Sequence, residues 1–174
     1  MTTLPITVRQ SALTDIVPIG ELALASLTQA PSSAFEIDEV PSSPLILGEE
    51  LAARSDERLR PIVAELGGAL AGFVAFERRS MARSHHVIEV RLLIHPDARG
   101  RGIGRQLLVE AVDQLRSNPS VQKLVMIVAS DDRALLGLLD QCADWTREQR
   151  CRAAWARGAE RVDVESWANT TVGA

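Results

Sequence analysis

Three glycines fall within five residues in Arg99-Gly100-Arg101-Gly102-Ile103-Gly104, and Arg99, Arg101 and Arg105 are interleaved with them. An apolar run broken by one arginine, Val90–Ile94, leads into this stretch through the breaker His95-Pro96-Asp97. After it, Ile103, Leu107, Leu108, Ala111, Val112 and Leu115 recur at helical spacing. The glycines therefore sit where a helix begins, an end that carries unpaired backbone N–H groups and the positive pole of the helix dipole. Glycine lets a bulky anion approach those groups closely, so the stretch reads as a phosphate cradle. Two familiar cradles do not fit. A nucleotide P-loop ends in Gly-Lys-Ser/Thr, whereas Gly104 is followed by Arg105 and Gln106. A dinucleotide fingerprint is spaced G-x-G-x-x-G near a chain start, whereas this one is G-x-G-x-G and lies mid-chain.

The cradle needs a strand before it and a buried strand after its helix. His85–Ile94 reads as the first of these, and strand parity puts Glu89, Arg91, Leu93 and His95 on one face and His86, Ile88, Val90, Leu92 and Ile94 on the other. Lys123–Ala129 (KLVMIVA) is almost continuously apolar, the pattern of a parallel strand covered on both sides. Strand, loop, helix and strand then form a right-handed βαβ unit, with Asn118-Pro119 ending the helix. Upstream, Ile6–Gln10 alternates as a strand. Thr14-Asp15 can cap a helix to about Thr28, its stripe made of Ile16, Val17, Ile19, Leu22, Ala23 and Leu27. Gln29–Pro44 reads as a loop with acidic residues Glu36, Asp38 and Glu39, and Leu45–Ala53 as a second helix that could reach Arg58. Arg60–Leu66 and Ala69–Arg78 form a hairpin across Gly67-Gly68, with Gly72 a weak point unless something packs closely on it. Downstream, Ser130-Asp131-Asp132 caps a helix over Arg133–Cys142 with Ala134, Leu135, Leu138 and Leu139 as its stripe. Arg147–Ala156 and Glu160–Trp167 close the chain as a second hairpin.

Length suits one domain over residues 1–174, with enough chain for a real core. A net charge of −4 argues against a general nucleic-acid footprint. Cys142 and Cys151 make neither a disulfide framework nor a metal-ligand set. Residues 1–9 lack the apolar core of a signal peptide and no run approaches a membrane span, so a soluble cytoplasmic protein without a membrane partner is expected. There is no tyrosine in the chain.

Arg99-x-x-Gly102-x-Gly104, in the setting L-x-I-H-P-D-x-R-G-R-G-I-G-R-x-L-L, resembles the R/Q-x-x-G-x-G/A signature of the GCN5-related N-acetyltransferases, the GNAT superfamily. ITVRQSALTDIVPIGEL resembles that family's opening strand and helix, and ALAGFVAFERR its third strand. The resemblance implies a mixed α/β fold, with a mostly antiparallel central sheet of about seven strands around a parallel βαβ core. It implies acetyl-CoA as co-substrate: Leu92, Leu93 and Ile94 would line the pantetheine arm, and Arg99, Gly100, Arg101, Gly102, Ile103, Gly104 and Arg105 would hold the pyrophosphate. It further implies an acceptor amine, on a small molecule or on a protein or peptide, lying near the 29–58 region and the tail hairpin. A homodimer through the tail strands is common in that family, and Trp155, Val164 and Trp167 could serve one here. Core packing is the other reading of those residues.

Transfer to an amine needs the nitrogen neutral, although a free alkylamine has a pKa of about 10. A general base, or a water chain leading to one, is therefore required, together with a donor for the developing oxyanion and, in some cases, an acid for the departing thiolate. Glu89 is the candidate base, because family members often place a carboxylate in this part of the strand; an ion pair with Arg91 is the competing reading. His86 has a suitable titration range but also suits a solvated turn, and His95 matches a common structural H-P-D. The oxyanion donor is expected to be a main-chain N–H near Leu93. The acid is where the chain departs from the family pattern N-x-x-A-x-x-L-Y-x-x-x-G-F. Asp131 stands at the Asn and Leu138 at the Tyr; anchoring on Ala143-Asp144-Trp145 instead brings Asp140 there. Water, Asp140 or Cys142 are the remaining proton sources, although Cys142 also suits a buried apolar position. A direct-transfer N-acetyltransferase working in a ternary complex is the leading reading. An acyl-CoA-binding sensor without turnover is the alternative, and an RNA-binding module rests on the Arg-rich loop alone.

Overall fold

A computed structural model describes residues 4–29, 40–53 and 59–173. The expected loop with Glu36, Asp38 and Glu39, and the extension of the second helix toward Arg58, lie outside these residues. The elements are β1 (Ile6–Gln10), α1 (Ile16–Gln29), α2 (Pro44–Ala53), β2 (Ile62–Leu66), β3 (Ala69–Arg78), β4 (Val87–Ile94), α3 (Ile103–Arg116), β5 (Lys123–Ala129), α4 (Arg133–Asp140), β6 (Thr146–Arg157) and β7 (Glu160–Asn169). They build one seven-stranded sheet in the order β1-β2-β3-β4-β5-β7-β6, with β4–β5 the parallel pair and every other pair antiparallel. This is the mixed sheet with a βαβ core that the sequence pattern leads one to expect.

Each face of the sheet carries a helical layer. On one, Ile19, Leu22 and Ala23 of α1 and Leu47 and Leu51 of α2 pack on Val63, Phe73, Ala75 and Leu93. On the other, Ile103, Leu107, Leu108, Ala111, Val112 and Leu115 of α3 pack on Val74, Phe76, Ile88, Val90, Leu124 and Met126. The α3 stripe is the one its periodicity predicts. The α1 stripe is not quite: Val17 is 41% exposed. Asp15, buried, anchors that helix start instead, accepting from Ala12 N at 2.7 Å and from both Arg9 terminal nitrogens at 2.7 and 2.9 Å.

Gly67 and Gly68 both have positive φ (61° and 87°), as the tight β2–β3 turn requires. Gly72 has a packing role. A Cβ there would come within 2.7 Å of Ile94 Cδ1 and about 3 Å of Leu107 and Ile103 side-chain atoms. Its missing side chain is what lets the first turns of α3 lie against the sheet beside the end of β4. The start of β4 differs from the sequence reading. β4 starts at Val87, and His85 and His86 form an exposed turn whose main chain bonds outside the ladder: His85 N donates to Ala82 O, His85 O accepts from Arg78 Nη1, and His86 O accepts from Gln122 and Lys123 N–H. Val164 and Trp167, read as candidate dimer contacts, are 6% and 5% exposed within the single chain. Among the described residues no helix is long and apolar enough to cross a membrane.

Candidate active site

β4 and β5 run side by side for three positions, Val87↔Lys123, Ile88↔Leu124 and Glu89↔Val125, and then part. The gap opens into a cleft of about 740 Å³, a size that suits a small-molecule site. Its walls draw on both faces of the sheet. Glu89, Arg91, Leu93 and Ile127 come from the α1 side, and Val90, Leu92, Ile94 and Met126 from the α3 side. The cleft therefore passes through the sheet, and two molecules can approach one point from opposite faces.

On the α3 side the glycine loop forms the rim. Gly100 and Gly102 have φ of 73° and 80°, both line the cleft, and a Cβ on either would point into open space. The first bond of α3 runs from Gln106 N to Gly102 O at 3.2 Å. The N–H groups of Ile103, Gly104 and Arg105 are thus first-turn donors without intrahelical acceptors. Arg99 and Arg105 stand at the same rim, and Arg133, at the start of α4, joins them. Arg101, expected in the cradle, is exposed and does not line the cleft: with positive-φ glycines on both sides the loop turns it outward. The remaining residues expected to hold the coenzyme, Leu92, Leu93, Ile94 and Gly104 among them, all line it.

The β3–β4 ladder decides which amides near Leu93 face the gap. His95 N donates to Ala71 O at 2.8 Å and Arg79 N to Val87 O at 3.3 Å, bracketing the register Leu93↔Phe73, Arg91↔Ala75 and Glu89↔Glu77. In an antiparallel ladder hydrogen-bonded pairs alternate, so Glu89, Arg91 and Leu93 turn their N–H groups toward β3. The Leu93 amide itself is thus turned to the sheet. Beyond the last β4–β5 pair, the N–H groups of Leu92 and Ile94 are the ones that face the open gap. Ser26 of α1, buried, donates from Oγ to Ile94 O at 3.2 Å and lines the cleft where that carbonyl does.

Glu89 and Glu77 stand opposite each other across β3–β4, a like-charge pair that costs stability unless neutralised. Arg91 Nη2 bridges them, 3.0 Å from Glu77 Oε2 and 3.1 Å from Glu89 Oε1. Glu89 is thus both ion-paired and on the cleft wall. His95 caps its own turn, accepting at Nδ1 from Asp97 N at 3.3 Å. His85 and His86 lie outside the cleft lining.

α4 closes one side. Asp132 caps it, accepting from Leu135 N at 3.0 Å, as its position predicts. Leu136 and Leu139 are buried in the core, whereas Leu135 and Leu138 pack against it and, with Ala134, also line the cleft, because the helix lies along the cleft edge. Leu138 stands where the family pattern has Tyr. Asp140 is exposed and outside the lining. Cys142 is packed against the core, where burial pushes its thiol up, and it too is outside the lining. Neither alternative proton source reaches the cleft. Residues that sequence reasoning did not assign to the site include Ser26, Met126, Ile127, Arg133, Gln141 and Trp155. Ser26 carried a signal, being a polar residue on the apolar stripe of α1, and Trp155 stands in the tail hairpin that the resemblance sets near the acceptor.

A model of the acetyltransferase (GNAT) family matches residues 24–143. The phosphinothricin N-acetyltransferase of Alcaligenes faecalis is 30% identical over 129 residues, 74% of this chain and 64% of that protein. The L-amino acid N-acyltransferase MnaT of Escherichia coli (strain K12) is 36% identical over 56 residues, 32% of this chain and 33% of that protein. The chain thus aligns with less than two thirds of either relative's length. A solved structure of a GNAT superfamily phosphinothricin acetyltransferase from Sinorhizobium meliloti in complex with acetyl-CoA superposes with a TM-score of 0.82 at 19% identity, covering 94% of this chain and 87% of that one.

Proposed function

The chain belongs to the acetyltransferase (GNAT) family, and on that footing we propose that it is an acetyl-CoA-dependent N-acetyltransferase. In this reading it passes an acetyl group directly to an amine, on a small molecule or a peptide, within a ternary complex. The observation that carries the proposal is the cleft through the sheet, with a glycine-built anion cradle on one face and a carboxylate on the other. The cradle suits the coenzyme's pyrophosphate. Its two positive-φ glycines leave open space where side chains would stand, three first-turn N–H groups converge there, and Arg99 and Arg105 add charge. Arg101, turned outward, is left out of that set. Acetyl-CoA, when bound, supplies an acyl group already activated as a thioester.

The protein's part is placement and proton handling. Leu92 and Ile94 N–H, facing the gap, take the place first expected for Leu93: they pair with the pantetheine arm and donate to the carbonyl oxygen that gains charge. Leu93 contributes only its side chain to the wall. Ser26, by holding the Ile94 carbonyl, fixes the end of β4. Glu89, on the opposite face, accepts the proton from the incoming ammonium directly or through water, with Arg91 holding its carboxylate in place. With Leu138 where a Tyr could stand, no side-chain acid is assigned. A thiol with a pKa near that of Cys, about 8.5, leaves as the thiolate without one.

Leu138 is also the observation that favours a second reading, an acyl-CoA sensor without turnover. Thiol release from acetyl-CoA across a panel of amines and peptides separates the two. Acceptor-dependent release supports the enzyme, and coenzyme binding with no release supports the sensor.

A further inference from the structure

β6 is the sheet's outer strand, and its pairing with β7 slips in its middle. Cys151 faces Val164, yet the next pair is Trp155↔Val162, so Asp163 alone opposes Arg152, Ala153 and Ala154. Unbroken pairing would set Ala153 opposite Val162; the two extra residues put Trp155 there. Ala153 adopts φ of 50°, and it is the one non-glycine residue with positive φ among those described. Asp163 holds the bulge from below. Its Oδ1 accepts from Ala153 N at 2.8 Å, and its Oδ2 from Arg150 Nε and Nη2 at 3.3 and 3.1 Å. Two residues beyond Trp155, Arg157 donates from both terminal nitrogens to Asp131, next to the cap of α4. A strained bulge pinned at both ends costs stability, and such features persist mainly where they aim a side chain.

The side chain aimed is Trp155. It lines the cleft, half-buried, whereas Trp145 and Trp167 are each 5% exposed. Register places it on the sheet face of Glu89, Arg91 and Ile127: Trp155 pairs with Val162, which shares parity with Val164; Val164 pairs with Ala129, and Ala129 shares parity with Ile127 and Val125, the partner of Glu89. It therefore stands on the face opposite the glycine cradle, at the C-terminal end of β5.

We propose that Trp155 is the acceptor-specificity residue: its indole is the wall on which the carbon skeleton beside the acceptor nitrogen packs. The enzyme then selects amines with an apolar body over small hydrophilic ones. This rests on the reading that an amine enters from that face. Ile127 and Leu93 line the same cleft on this face as further apolar groups, and Glu89 and Arg91 line it as polar ones. The wall acts through fit and not through the proton, so it moves selectivity and leaves coenzyme affinity alone.

The test compares 2-phenylethylamine with ethanolamine as acceptors for wild type, Trp155→Ala, Trp155→Leu and Trp155→Phe, with acetyl-CoA affinity measured for each. The wild type is expected to prefer phenylethylamine at least tenfold in kcat/KM. Trp155→Ala should bring the ratio to within about twofold of one, Trp155→Leu should reduce it, and Trp155→Phe should restore it to within about threefold of wild type. Acetyl-CoA affinity should stay within about twofold throughout. A ratio unchanged in both Trp155→Ala and Trp155→Leu, or both amines falling by one common factor, overturns the proposal. If coenzyme binds but no amine is turned over, the transfer reading has failed instead. Trp155 is then judged by fluorescence titration with phenylethylamine in the presence of free CoA. Quenching that vanishes in Trp155→Phe supports it, and quenching unchanged there, or absent in wild type, overturns it.

Discussion

Replacing Gly102 by Ala separates ligand loss from stability loss in a way that only a built cradle allows. Gly102 has φ of 80°, where an L-residue is strained by about 1–2 kcal/mol. A Cβ there meets nothing within 4 Å, so no packing cost is added. For a chain of this length such a change shifts Tm by roughly 3–6 °C. The methyl group would, however, stand in the space a pyrophosphate needs and hold it off the first-turn N–H groups of α3. Losing one charge-assisted hydrogen bond costs about 1.5–3 kcal/mol, on the order of 10- to 100-fold in affinity. Gly72→Ala is the control. Its Cβ would press on Ile94, Leu107 and Ile103, so it should cost about 1–3 kcal/mol of stability and affect coenzyme affinity less. Thermal melts and calorimetric titration with acetyl-CoA on both variants read this out. A Gly102→Ala protein that binds acetyl-CoA as the wild type does, or one that melts more than about 10 °C lower, refutes the reasoning.

Glu89→Gln should lower kcat/KM about 100-fold near pH 7, with the gap closing as pH approaches the amine's pKa of about 10; an unchanged pH profile means that Glu89 is not the base. Asp15, Asp131 and Asp163 are held below the usual carboxylate range, by Arg9 hydrogen bonds, by Arg157, and by the Ala153 N–H with Arg150, respectively. Their folded values lie below the ordinary 3.8, so the stability they add is complete above it and lost as pH falls through the folded values. Tm should therefore hold steady from about pH 7 to 5 and drop below about pH 4, and Asp15→Asn should shrink that drop. Ala153→Gly relieves the positive φ and should raise Tm by a few degrees or leave it unchanged; a fall of several degrees would mean that the bulge is not strained.

Much of this fold is legible in residues because its periods are unambiguous. The α3 stripe, the double-sided apolar run Lys123–Ala129 and the Gly67-Gly68 turn each admit one local structure. The cradle is legible for the same reason, since glycines at a helix start have few other uses. The parting of β4 and β5 is not legible, because Val90–Ile94 and Met126–Ala129 look able to pair throughout. Parity placed Leu92 and Leu93 on opposite faces, but which N–H group faces the gap depends on register against β3, set by tertiary pairing at Ala71 and Arg79. Trp155 is hidden for a similar reason: two inserted residues keep the alternation of β6 while changing which side chain reaches the cleft. The sequence extends β4 back over His85 and His86, since nothing local marks where a partner strand stops.

The central claim is that the cleft passes an acetyl group from a coenzyme on one face to an amine on the other. The most direct measurement is acceptor-dependent thiol release from acetyl-CoA across amines and peptides, with wild type beside Gly102→Asp. The account predicts release that requires an acceptor, saturates with acetyl-CoA and disappears in the variant. Acetyl-CoA that binds without acceptor-dependent release, or release that survives in Gly102→Asp, contradicts it.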